Sequence, residues 1–196
     1  MKREAVCQIF SHMPAIRTER LLLRPMHVTD AVDMFEYASR EEVTEFLLWS
    51  PHRTISYTRD YLRYIEDRYA IGDFYDWAVT LADSGKMIGT CGFTRLDLPH
   101  NKGEIGYVLS PDYHNLGYAT EAVTAILEFG FDQLCLHRLE ARFMQGNDAS
   151  LRVMEKVGMT FEGFARDAML VKGRYRTIGT SAILREEFET KRSPKS

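Results

Sequence analysis

The stretch that most constrains this chain is residues 104–122, EIGYVLSPDYHNLGYATEA. A run of β-forming residues passes through a short polar joint directly into TEAVTAILEFGFDQL, where Ala122, Val123, Ile126, Leu127 and Phe131 recur at helical spacing and Glu121 sits in the first turn. A strand that feeds straight into a helix leaves the first helical N–H groups without partners, and those groups together with the helix dipole attract an anion. The spelling of the joint suits that use: Gly117 permits close backbone approach, Ala119 adds no bulk, and Asn115 tolerates the left-handed conformation a sharp turn needs. Taken alone, the joint serves equally well as a tight strand-to-helix turn.

Nucleoside triphosphates and dinucleotides lose support as the anion. The chain contains no G-x-x-x-x-G-K-[ST] loop, and no G-x-G-x-x-G follows a strand. A formal charge of -3, from 25 basic and 28 acidic residues, gives no general attraction to nucleic acid or anionic membrane, so an anion has to be captured locally. With 196 residues, 45% of them hydrophobic, the chain suffices for one well-buried core and is short for two. No apolar stretch approaches the roughly 18 residues of a membrane span, and MKREAVCQIF lacks the apolar region of a secretory signal, so a cytoplasmic protein is expected. Cys7, Cys91 and Cys135 include no Cys-x-x-Cys pair and predict neither a disulfide framework nor a zinc site; Cys91 and Cys135 are expected as buried small hydrophobes. The histidines show no metal-ligand spacing, and no metal is expected.

Along the chain, residues 1–17 lack a clear period and are expected as a loose N-terminal arm, residues 18–188 as the single domain, and residues 189–196, ending KRSPKS, as a disordered tail. TERLLLRP reads as a strand ended by Pro25. TDAVDMFEYAS and SREEVTEFLLW read as helices, capped by Thr29 or Asp30 and by Ser39. Residues 54–71 place Tyr57, Tyr61, Leu62, Ile65 and Tyr69 at helical spacing before Gly72, an aromatic stripe expected in the core. YDWAVTLA, KMIGTCGFTRL and GEIGYVLSP predict an antiparallel meander with a hairpin turn at DSGK. HRLEARFM reads as a strand, NDASLRVMEKVGM as a capped helix ended by Gly158, and the remainder as strands around a KGR turn. The fold class is α/β (α+β), with a mostly antiparallel central sheet flanked by helices.

Three blocks in this order, EIGYVLSPDYHNLGYATEA, LHRLEARFMQGNDASLRVMEKVGM and FEGFARD, resemble the GCN5-related N-acetyltransferases, and within them the branch that acetylates amino termini of ribosomal proteins. The resemblance runs from TERLLLRP to SAILREEF, most of the chain. The family's pyrophosphate loop, [QR]-x-x-G-x-[GA], is matched by Gly117 and Ala119, while His114 replaces the usual Gln or Arg and Asn115 a frequent Gly. The resemblance implies acetyl-CoA as cofactor and a sheet splayed at the cofactor strand. It assigns the pyrophosphate to His114, Asn115, Leu116, Gly117, Tyr118, Ala119 and Thr120, and the pantetheine arm to Tyr107, Val108 and Leu109. An amide near Tyr107 or Leu109 would stabilise charge developing on the thioester oxygen.

Moving an acetyl group from a thioester to an amine requires a neutral amine, a polarised carbonyl and a proton for the departing thiolate. Glu104, at the start of the cofactor strand, is the candidate base, with a solvated strand-end carboxylate as the alternative. Many relatives place an acidic Tyr where this chain has Met154; Ser150, at N-x-x-S spacing from Asn147, is the substitute candidate unless it caps its helix. Asn147 either bonds the pantetheine amides or caps the same helix. A histidine is a common general base, but the loop position of His114 predicts that it faces pyrophosphate or solvent. Phe46 and Trp49 are candidate acceptor contacts. The expected reaction acetylates a primary amine, foremost the N-terminal α-amino group of a ribosomal protein. A small amine (polyamine, aminoglycoside or amino acid) and a non-catalytic acyl-CoA sensor are the alternatives. The protein is expected as a monomer or homodimer, without nucleic-acid or membrane partners.

Overall fold

One sheet of eight strands organises residues 2–192, the residues described by the computed structural model. In chain order the elements are α1 (Arg3–Ser11), β1 (Ile16–Arg17), β2 (Leu21–Arg24), α2 (Ala31–Ala38), α3 (Glu41–Thr44), α4 (Ile55–Ala70), β3 (Asp76–Leu81), β4 (Met87–Asp97), β5 (Lys102–Leu109), α5 (Tyr118–Glu128), β6 (Arg138–Met144), α6 (Asp148–Lys156), β7 (Thr160–Val171), β8 (Arg174–Leu184) and α7 (Arg185–Arg192). The strand order is β1-β2-β3-β4-β5-β6-β8-β7, and every neighbouring pair is antiparallel except β5 with β6. No helix among the described residues is long and apolar enough to cross a membrane.

The central strands are covered on both faces, as the near-continuous burial of Trp77, Ala78, Val79 and Thr80 requires. On one face the rings of Phe10, Trp77, Phe93 and Phe129 meet edge-on or tilted, tying α1 and the end of α5 to β3 and β4. On the other face lie α2 and α4, with the Tyr69 hydroxyl donating to the Asp76 carbonyl at 2.5 Å. The β3–β4 connection is the hairpin expected at DSGK, with Gly85 at φ 73° and its N–H donating to the Leu81 carbonyl at 2.9 Å.

The amino terminus departs from its expectation as a loose arm. α1 buries Val6 and Phe10 completely, and the sheet already begins at Ile16, opposite Leu23. α1 also lies so close to the end of α4 that a Cβ on Gly72 would sit 2.0 Å from the Cys7 carbonyl oxygen, which together with φ 70° makes glycine obligatory there. Residues 189–192 continue α7, anchored by the buried Phe188, where a disordered tail was expected; residues 193–196 lie outside the described residues.

Smaller corrections have local causes. Thr29 and Asp30 do not cap α2: the Asp30 carboxylate instead accepts from His27 N–H at 2.8 Å and from Arg24 at 2.8 and 2.6 Å, which ties it to the preceding turn. Ser39 ends α2 by donating to the Phe35 carbonyl at 2.7 Å, and α3 starts after Arg40 and lasts one turn. Cys91 is buried as expected, but Cys135 is exposed at φ 52° in the turn before β6.

Because Phe10 fills the centre of an aromatic cluster, Phe10→Ala should destabilise the protein by about 3–5 kcal/mol, read from urea unfolding. A change under about 1 kcal/mol would mean that α1 does not dock.

Candidate active site

β5 and β6 pair only from Lys102 to Ile105, opposite Arg138–Ala141. Beyond that point β5 follows β4 to Leu109 and β6 follows β8 to Met144, so the two strands part and each leaves one edge open. The direction of the freed groups on β5 can be worked out from two bonds. Ser110 N–H donates to the Ile88 carbonyl at 2.7 Å, on the β4 side, whereas His114 Nε2 donates to the Leu109 carbonyl at 3.0 Å, from the opposite side. Alternate strand residues point alike, so the amides of Tyr107 and Leu109 face the opening. The expected splay of the cofactor strand is therefore present.

The joint after β5 supplies a second set of donors. Asn115 at φ 60° and Gly117 at φ 85° turn the chain, and α5 begins at Tyr118 with no side chain capping it. The N–H groups of Tyr118, Ala119 and Thr120 consequently have no intrahelical acceptor. A Cβ on Gly117 would meet only Arg20, at 3.2 Å, so conformation rather than crowding demands the glycine.

Arg20 and Glu121 fix this joint from the side. Glu121 accepts from Thr18 Oγ1 at 2.6 Å, from Arg20 N–H at 2.9 Å and from Arg20 Nε at 2.7 Å, while Arg20 Nη1 donates to the Leu116 carbonyl at 2.9 Å and its guanidinium lies 4.5 Å from the Tyr118 ring centre. Burial alone would raise the Glu121 carboxyl, but these donors outweigh it and hold the group below the usual carboxylate range.

Two cavities open from this corner. One, of about 320 Å3, lies between the joint and α6 and is lined by Leu109, Asn115, Gly117, Ala119, Arg152 and Lys156 among others. Its unpartnered amides and two cations, on consecutive turns of α6, fit an anionic diphosphate. The other, of about 390 Å3, lies between the sheet and α2–α4 and includes Phe46, Trp49, Glu104 and Arg142 in its walls. The cavities meet at Tyr107, Val108, Asn147 and Ser150, which line both.

At that meeting point the Tyr107 hydroxyl lies 2.8 Å from Ser150 Oγ and 2.9 Å from the Ser150 carbonyl. Burial pushes the Tyr107 phenol up, offset in part by the Ser150 bond, so it keeps its proton across the neutral range. Asn147 caps α6 by accepting from Ser150 N–H at 3.2 Å, which leaves the Ser150 hydroxyl free of the capping role. Glu104 faces the second cavity with its side chain 13% exposed, and Arg142 Nη2, at its solvent edge, lies 3.0 and 2.9 Å from the two carboxylate oxygens.

The structure thus gathers Tyr107, Val108, Asn147 and Ser150 at one junction, with Glu104 in the wall of the larger cavity and Leu109, His114, Asn115, Gly117, Tyr118, Ala119 and Thr120 around the smaller one. His114 is tied to its own strand by the Leu109 bond, and the Leu116 side chain is 55% exposed, leaving its carbonyl as the part that serves the loop. Phe46 and Trp49 line the Glu104 cavity. Tyr57 and Tyr61 line it too; Tyr57 is 57% exposed, which corrects its assignment to the core, whereas Tyr61 packs half-buried against the core. Sequence reasoning did not single out Arg142, Arg152 or Lys156. The i,i+4 spacing of Arg152 and Lys156 on a helix facing the joint was the available signal for the last two.

Residues 20–160 match the acetyltransferase (GNAT) domain family. An N-acetyltransferase named p20 from Bacillus licheniformis is 32% identical over 90% of this chain and 99% of its own length. A protein of Escherichia coli K12 named [Ribosomal protein uS5]-alanine N-acetyltransferase is 26% identical over 88% of this chain and 93% of its own. The crystal structure of a GNAT-family acetyltransferase from Bacillus anthracis superposes with a TM-score of 0.79 at 32% identity, covering 88% of this chain and 99% of that one. The chain belongs to the GNAT family and is an acetyl-CoA-dependent N-acetyltransferase.

Proposed function

We propose that the protein transfers an acetyl group from acetyl-CoA to the α-amino group of a protein N-terminus, with a ribosomal protein as the foremost acceptor. The observation that carries the transfer itself is the junction of the two cavities, where a hydroxyl pair, Tyr107 and Ser150, stands beside an unpaired strand edge and at the mouth of the cavity whose wall includes Glu104. The N-terminal acceptor is supported by the resemblance of the sequence blocks to that branch and by the name of the Escherichia coli relative. A small amine reaching the same carboxylate uses the same chemistry.

Acetyl-CoA supplies the activated acyl carbon on which the amine forms its new C–N bond as the C–S bond breaks. The chain's own residues account for the rest. The first-turn amides of α5, with Arg152 and Lys156, hold the diphosphate. The Tyr107 and Leu109 amides are free to donate to the carbonyl oxygen. Glu104 takes the proton from the incoming ammonium, directly or through water, in a chamber whose other charged wall residues are Arg142 and Asp76. Ser150 gives a proton to the departing thiolate and is reprotonated, through water, by the second proton that the nitrogen loses as the amide forms. The phenol has one proton, and when Tyr107 gives it to the Ser150 carbonyl, the Ser150 hydroxyl is left to donate to the phenol oxygen or to sulfur. Met154, which stands where many relatives carry a Tyr, is fully buried and takes no part.

Glu104→Gln should lower kcat by about 100-fold or more, and Ser150→Ala by a comparable factor, with coenzyme A affinity retained in both. Thiol release followed with an N-terminal peptide measures this; ordinary rates in both variants would remove the assignment. If wild type binds acetyl-CoA yet turns over no peptide or amine, the acyl-CoA sensor reading replaces that of an enzyme. Gly117→Val should weaken coenzyme A binding at least about tenfold, while the strain at φ 85° costs folding about 1–3 kcal/mol. Intact binding in a folded variant would make the joint a purely structural turn.

A further inference from the structure

A carboxylate that the transfer chemistry leaves unused stands on the far side of the Glu104 cavity. Asp76 opens β3 opposite Gly92 of β4, which is opposite Gly106 of β5. This row carries no side chain between Asp76 and the cofactor strand, and Asp76 lines the same cavity as Glu104. A Cβ on Gly92 would come within 2.3 Å of the Tyr75 carbonyl oxygen, 2.4 Å of Asp76 Cα and 2.9 Å of Asp76 Oδ1, so the glycine makes room for the backbone there as well as for the carboxylate.

Among the described residues, Asp76 Oδ1 and the Tyr37 hydroxyl are both closed to solvent and without a hydrogen-bond partner. Tyr37 comes from α2 and Tyr61 from α4, and both lie near enough that the Asp76 charge, adding to their burial, holds their phenols above the ordinary value. Trp49, His52 and Tyr57 continue the wall; the His52 ring centre is 5.3 Å from that of Trp49, 4.9 Å from Tyr57 and 5.7 Å from Tyr61. Burial lowers the His52 pKa, so the imidazole is neutral near neutral pH. Arg142 is the one permanently charged cation among the described lining residues, and it is already paired with Glu104. An acidic group with one oxygen unbonded and no cationic partner, behind a wall of aromatic faces, suits a cation from outside the protein.

We propose that Asp76, with the Tyr37 and Tyr61 hydroxyls and the aromatic wall, forms a subsite for a second positive group of the acceptor, so that the preferred acceptor is dicationic. This rests on the reading that the reacting amine sits at Glu104. The two carboxylate-bearing residues lie two strands apart and offset by two residues, a Cα separation of about 12 Å from strand spacing and rise. That reach suits a long diamine or an N-terminal peptide whose second residue is basic. Burial pushes the Asp76 carboxyl up to about 7, with bonds from Thr90 and the Trp77 backbone lowering it only in part. The other groups facing it are Tyr37, Tyr57, Tyr61, Tyr69, the Cys91 thiol, the neutral His52 and the Glu104–Arg142 pair; burial holds Tyr69 and Cys91 protonated, so dication binding strengthens as pH rises through about 7. The same shift sets a stability signature. A carboxyl whose pKa rises on folding contributes stability in full below its unfolded value and loses it as pH climbs through the folded one. Asp76→Asn therefore leaves Tm unchanged in acid and raises it above pH 7.

The test is titration calorimetry on the coenzyme A-bound protein at a pH above 7, with diaminoheptane against heptylamine and a short peptide with lysine second against the same peptide with leucine second. Wild type should bind the better dication about tenfold or more tightly than its monocationic counterpart. Asp76→Asn should abolish that preference without weakening the monocation, and Tyr37→Phe should reduce it. The preferred pair tells whether a diamine or a peptide supplies the second charge. Equal binding of both members of each pair, a preference that survives Asp76→Asn, or no binding at all would overturn the subsite. Thiol release measured alongside keeps the two readings separate: turnover without dication preference upholds the transferase and sinks the subsite, whereas preference without turnover does the reverse.

Discussion

The parting of β5 from β6 after Ile105 is the feature on which the rest of the molecule depends. A parallel pair inside a sheet ordinarily buries its ladder, and an unpaired edge in the interior is costly unless something else takes its hydrogen bonds. Here the gap lies beside the uncapped start of α5, so strand amides and helix amides share one opening. Both sets of donors are main-chain groups fixed by the fold, which means they are oriented before any ligand arrives. The cost of that pre-organisation is carried elsewhere, in the aromatic cluster around Phe10 and Trp77 and in the bonds that clamp Glu121 to Thr18 and Arg20.

Charge is divided across the same opening. Arg152 and Lys156, with Glu42, line the cavity on the joint side, and Glu104 and Asp76, with Arg142, the cavity on the other, so cations outnumber carboxylates at one end and carboxylates outnumber cations at the other. An anion and a cation are thus drawn to opposite ends and meet at Tyr107 and Ser150. A net charge of -3 conceals this completely, since local placement and not the sum determines the field inside a cleft.

The parts legible in the sequence were those with a local cause. The apolar period of α5, the Gly117 turn, and the Asn147 cap three residues before Ser150 are each specified within one turn of chain, and the structure has them where the pattern put them. What escaped was set by contacts between distant residues. α1 has only Val6 and Phe10 fully buried, too few to announce a helix, and it holds because α4 and β3 receive it. Tyr57 and Tyr61 share the helical spacing of core residues, yet a cavity opens over them because α3 stops after one turn and the chain through Trp49 folds back as a wall. The partnership of Glu104 with Arg142 and that of Tyr107 with Ser150 join residues 38 and 43 positions apart, and no spacing rule anticipates either.

The central claim, that the opened edge of β5 and the first turn of α5 together grip coenzyme A, is tested most directly by amide hydrogen exchange with and without the ligand. The account predicts that Leu109, Ala119 and Thr120 exchange freely in the unliganded protein and become protected when coenzyme A is added, with Tyr107 following them. Protection confined to other segments, with these amides unchanged at saturating coenzyme A, would contradict it.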